Sequence, residues 1–100
     1  MIQEGTITFL MTHFYPGGTA DQYAVVLDAV HVDGALPPGQ LSSAAGPTDG
    51  GWLISSMWES RAAFETFVAD TLMPSLAGIQ GGFETGPEER LAECTLFQTA

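Results

Sequence analysis

The sequence predicts an α+β domain of ferredoxin-like order, βαββαβ, with a four-stranded antiparallel sheet and two helices on one face. Three observations lead there. Two stretches with strand character, Thr6 to Phe14 and Trp52 to Trp58, are each followed by a capped stretch with helical spacing. Two further strand-compatible segments, Gln40 to Ala45 and Leu91 to Thr99, complete a pair of split βαβ units. A chain of 100 residues with no internal repeat fits one such domain, covering residues 1–100.

Along the first strand, Ile7, Phe9, Met11 and His13 share one face, while Thr6, Thr8, Leu10, Thr12 and Phe14 share the other. Neither face carries a charge, which predicts cover on both. Tyr15-Pro16-Gly17-Gly18 should end this strand, because Pro cannot donate to a ladder and paired glycines favour a turn. Thr19 stands three residues before Gln22, the spacing of a capping box, and Asp21 suits the positive end of a helix. Tyr23, Val26, Leu27 and Val30 give that helix its apolar stripe, and Asp33-Gly34 should stop it. Leu36-Pro37-Pro38-Gly39 is a stiff connector. Gln40 to Ala45 is a short strand, and Gly46 to Gly51 a hairpin-like loop.

Trp52 to Trp58 is the third strand. Ser60 then offers an oxygen to the free N–H groups of a second helix, whose stripe is Ala63, Phe64, Phe67, Val68, Thr71 and Leu72. Pro74 should kink or restart this helix near Met73, with Leu76 and Ile79 extending the apolar face. Gly78, Gly81, Gly82 and Gly86 mark a loop before the closing strand, Leu91 to Thr99.

Hydrophobic residues make up 45% of the chain and charged ones 14%, more apolar surface than a lone small domain hides well. That balance predicts a homodimer, in which a second sheet covers the face the helices leave bare. Twelve acidic residues against two arginines give a net charge of −10. Such a field repels phosphate backbones and anionic headgroups, which excludes nucleic acid and membrane partners. A single cysteine, Cys94, allows no internal disulfide and fits a reducing compartment, so the expected location is cytoplasmic.

Among residues with chemistry, His13 stands out at the end of a predicted strand beside Phe14 and Tyr15. An imidazole there suits the binding or deprotonation of a phenol or enol, although a hydrogen-bonded structural role is the more common one for a lone histidine. Tyr23, Trp52, Trp58 and Phe67 could wall a flat pocket for a hydrophobic, aromatic small molecule, or could be plain core. His31, near a helix end, reads as structural. Cys94 has no visible activating neighbour. The chain lacks a nucleophile elbow, a Walker loop, a dinucleotide fingerprint and a zinc-protease motif, so no metal or cofactor is expected.

The segments HFYPGGTADQY, LPPGQ, AAGPTDGGWLISSMWESRAAFETF and TLMP resemble the dimeric α/β-barrel superfamily, and within it the small proteins grouped near the antibiotic-biosynthesis monooxygenases. The resemblance spans roughly residues 6 to 79 and marks fold more than activity. It implies a homodimer paired sheet to sheet, with ligand held between sheet and helices, and a cofactor-independent monooxygenase as one expected function. Relatives lean on an Asn together with a Trp, and in some branches a His or an Arg; Trp58 is similar to that Trp. This chain contains no Asn, and Ser42-Ser43 stand where relatives of the subgroup carry a second-strand His. A non-catalytic binding or accessory protein is therefore the other expected function.

Overall fold

A computed structural model describes residues 8–98, so Thr6, Ile7 and Thr99 of the predicted strands lie outside the described residues. Four strands form one antiparallel sheet in the order β2-β3-β1-β4. These are β1 (Thr8–Pro16), β2 (Gln40–Thr48), β3 (Gly51–Trp58) and β4 (Glu88–Cys94). Helix α1 (Ala20–Val30) follows β1, and α2 (Arg61–Phe67) follows β3. This is the ferredoxin-like arrangement read from the element order.

The period-two pattern of β1 sorts as its residues dictate. Phe9, Met11, His13 and Tyr15 are all buried on the face under the helices, while Leu10, Thr12 and Phe14 on the other face are only half-buried. Across the ladder Phe9 meets Trp58, Met11 meets Ser56, His13 meets Ile54 and Tyr15 meets Trp52, so β3 contributes its own alternate set to the same face. Phe9, Met11, Trp58 and Phe64 form the core, with Ile54, Phe67, Val68 and Leu91 packed against it.

Several boundaries differ from expectation, each for a local reason. Strand β1 runs on through Tyr15 and Pro16, which pair with Trp52 and Gly51, and the turn waits for Gly17 at φ 72°. Helix α1 is capped by Thr19 and Gln22 as predicted but ends at Val30, because His31 leaves helical geometry at φ −106° and ψ 79°. A 3-10 turn at Val32–Gly34 follows, with Asp33 in the left-handed region at φ 56°. Strand β2 reaches Thr48, past the predicted loop start. Pro47 is tolerated because β2 is an edge strand whose outer N–H positions face no neighbour.

Pro74 restarts the helix at Met73 as expected, and it also acts upstream. Its missing N–H and the clash of its ring with the preceding turn are absorbed by a widened π segment, Val68–Leu72, between α2 and α3 (Met73–Leu76). Ile79 falls beyond the helix end and does not extend its face, since Ala77 is already extended. Strand β4 begins at Glu88, three residues before the predicted Leu91. An edge strand tolerates exposed charge, so Glu88, Glu89 and Arg90 join the ladder opposite Phe14, His13 and Thr12.

Candidate functional site

Between the buried sheet face and the helices lies a cavity of about 60 Å³. Met11, His13 and Tyr15 of β1 and Ile54, Ser56 and Trp58 of β3 form its floor. Tyr23, Val26, Leu27 and Val30 of α1 roof one side, and Phe64, Phe67 and Leu72 close the other. Its volume is small beside the roughly 300–1,000 Å³ of pockets for drug-sized ligands, so an aromatic occupant requires wall side chains to move.

His13 sits on this wall at 6% exposure. Its Nε2 lies 2.7 Å from Oε2 of Glu89, directly across the ladder on β4. A carboxylate can only accept, so in the neutral ring Nε2–H donates and Nδ1 keeps the bare lone pair. Among the described residues Nδ1 makes no hydrogen bond, which leaves it as an oriented acceptor of protons. Glu89 was missed in the sequence because the predicted fourth strand began after it.

The aromatic residues divide into two groups. Around Trp58, Phe64 stands edge-on at 5.5 Å between ring centroids and Phe67 lies tilted at 4.9 Å. The Trp58 Nε1–H donates to Ser56 Oγ at 2.9 Å, which fixes the indole plane against the cavity. Around Tyr15, Phe83 stacks at 3.9 Å and His13 stands edge-on at 6.1 Å. Burial raises the Tyr15 pKa above 10.0, and the negative charge of Glu89 raises it further. Of the sequence candidates, His13, Tyr23, Trp58 and Phe67 line the cavity. Trp52 stands behind Tyr23, tilted at 5.4 Å, and is not on the wall.

His31 and Gln40 also line the cavity, beyond anything the sequence indicated. His31 is the C-cap of α1, its N–H still donating to Leu27 O, and its φ of −106° and ψ of 79° leave helical geometry where its side chain meets the cavity. Burial lowers the His31 pKa below 6.5, and the Gln40 side chain beside it offsets part of that shift. Oε1 of Gln40 is buried without a hydrogen-bond partner. Among the described residues no three His, Cys, Asp or Glu side chains gather in metal-binding geometry, and no helix is long and apolar enough to cross a membrane.

A half-open α+β sandwich with an apolar chamber between sheet and helices is thus the class that fold and site define. No family model matches the chain, and no curated protein matches it in sequence. Among solved structures the fold is that of antibiotic-biosynthesis monooxygenases. A candidate antibiotic-biosynthesis monooxygenase from Chloroflexus aurantiacus J-10-fl superposes with a TM-score of 0.66 at 11% identity, over 92% of this chain and 97% of that one. The monooxygenase of the ActVA-Orf6 gene of Streptomyces coelicolor, solved with nanaomycin D, gives 0.59 at 21% identity, over 95% and 93%. SnoaB, a cofactor-independent oxygenase from Streptomyces nogalater solved as a variant with one Asn changed to Ala, gives 0.58 at 15% identity, over 95% and 97%. At such identities the likeness establishes the fold.

Proposed function

We propose that this chain binds a hydrophobic, aromatic small molecule in the cavity between sheet and helices and oxidises it as a cofactor-independent monooxygenase, with His13 as the base. The observation that carries the reading is the His13–Glu89 pair. A buried imidazole on the cavity wall is held by a carboxylate at 2.7 Å through Nε2, which leaves Nδ1 for a ligand. A phenolic hydroxyl set against Nδ1 would lose its proton there, and the phenolate is the electron-rich form from which dioxygen takes electrons. Without another reductant the substrate supplies every electron, so a quinol and one dioxygen yield a hydroxyquinone and one water. Tyr23, Trp58 and Phe67 would hold the ring flat, with Trp52 supporting Tyr23 from behind.

One observation favours a second reading, a non-catalytic binding or accessory protein of the same fold: the chain has no asparagine. Oxygen uptake with a panel of aromatic quinols, set beside calorimetric binding of the same compounds, separates the two. The enzyme reading expects turnover that falls by about 10²–10⁴-fold in His13→Ala with binding retained. Binding without oxygen uptake by the wild-type protein across the panel would leave only the accessory role.

The same proposal includes a homodimer. Leu53 is 43% exposed on the helix-free face, opposite half-buried Phe14 and with half-buried Leu10 further along the same face, and a second copy's sheet would cover them. Sedimentation at micromolar concentration should give a dimer; a monomer would contradict the pairing.

A further inference from the structure

Besides the serine and tyrosine hydroxyls, the imidazole and amide groups of the chamber wall stand at two separate places, and only one of them belongs to the His13 site. His13 lies opposite Ile54 and Gln40 opposite Trp58, on strands that flank β3 from either side. Four residues along a strand and two strand spacings across it put their Cα atoms about 16 Å apart. Gln40 Oε1 is a strong acceptor, shut away from solvent on the cavity wall and unpartnered. A buried acceptor left unpaired is costly, and proteins rarely keep one without a use. A carbonyl oxygen also has two lone pairs, so closing one of them on the nearby His31 would still leave the other open.

We propose that Gln40, with His31 beside it, is a second recognition pole of the cavity, receiving a hydroxyl or N–H donor at the end of the ligand remote from His13. The assignment rests on the reading of the cavity as a ligand site and narrows its occupant. The ligand is a flat molecule with polar donors at both ends, its middle crossing the Met11–Ser56 pair and Trp58 lying at the Gln40 end. A ligand with one donor satisfies one pole and leaves the other orphaned. Discrimination of this kind is stronger than that from apolar contact, because the wrong ligand forfeits a buried hydrogen bond.

The test uses two probes on the full chain: a naphthalenediol with hydroxyls at opposite ends of its long axis, and the corresponding mono-naphthol. Calorimetry should show the diol binding the wild-type protein about tenfold more tightly than the mono-naphthol. Gln40→Met keeps side-chain length and removes the acceptor. It should erase the diol's advantage and leave mono-naphthol affinity within about twofold, since no hydrogen bond to that probe is lost. An advantage that survives Gln40→Met overturns the second pole while the cavity reading stands. Failure of both probes to bind the wild-type protein overturns the cavity reading and this pole with it.

Discussion

His13 and Glu89 are 76 positions apart in the chain and 2.7 Å apart in the fold, and much of the chemistry at residue scale follows from that contact. Glu89→Gln replaces a group that can only accept with an amide that can also donate, so the imidazole tautomer is no longer fixed. In the proposed reaction kcat should drop by about tenfold or more with little change in ligand affinity, read by steady-state oxygen uptake. The same carboxylate acts on Tyr15. Ultraviolet titration should find one tyrosine ionising above 10.0, and Glu89→Gln should bring it part of the way back, because burial, the larger cause, remains. His31 titrates the other way. Its folded pKa lies below 6.5, so the unfolded chain takes the proton first; the stability this confers is present above pH 6.5 and is lost as pH falls through the folded value. Chemical denaturation across that window should show a slope that His31→Phe abolishes. His13 was visible in the sequence because an imidazole on an apolar strand is conspicuous. Glu89, Gln40 and His31 were not, because their roles depend on strand register and on where α1 stops, which no spacing rule fixes.

At the scale of elements, the hairpin and the caps carry the fold. Gly51 faces the carbonyl of Tyr15 so closely that a Cβ there would stand 2.1 Å from the oxygen, and backbone cannot yield as a side chain can. Gly51→Ala should lose about 3 kcal/mol in urea unfolding and disturb Tyr15 with it. Thr19→Ala removes the Oγ that accepts from the Gln22 N–H, and should lower stability by about 1 kcal/mol without touching the cavity. These elements were legible before any coordinates: Thr19, Gln22 and Ser60 announce helix starts, and alternating apolar residues announce β1 and β3. Strand ends were less legible. Pro16 and Pro47 look like breakers, yet one closes a strand and the other rides a sheet edge where its missing donor costs nothing. The glutamates of β4 read as loop because exposed charge and strand pairing share no local signature.

For the whole molecule, a sheet with helices on one side leaves Leu53, Phe14 and Leu10 to find other cover. Leu53→Asp should convert the proposed dimer to a monomer in sedimentation while leaving the helix-side core intact, since Leu53 and that core lie on opposite faces. The likeness in fold to the monooxygenases of known structure extends over more than nine-tenths of each chain. The imidazole comes from the first strand and its carboxylate from the last, and the glycine-rich stretch around Gly78–Gly86 is the tether that joins β4 to the rest. Cut within that tether, the chain becomes two fragments, one bearing the imidazole and one bearing the carboxylate that holds it. On the proposed function neither fragment should turn over substrate alone, and reunion by strand addition should restore the pair.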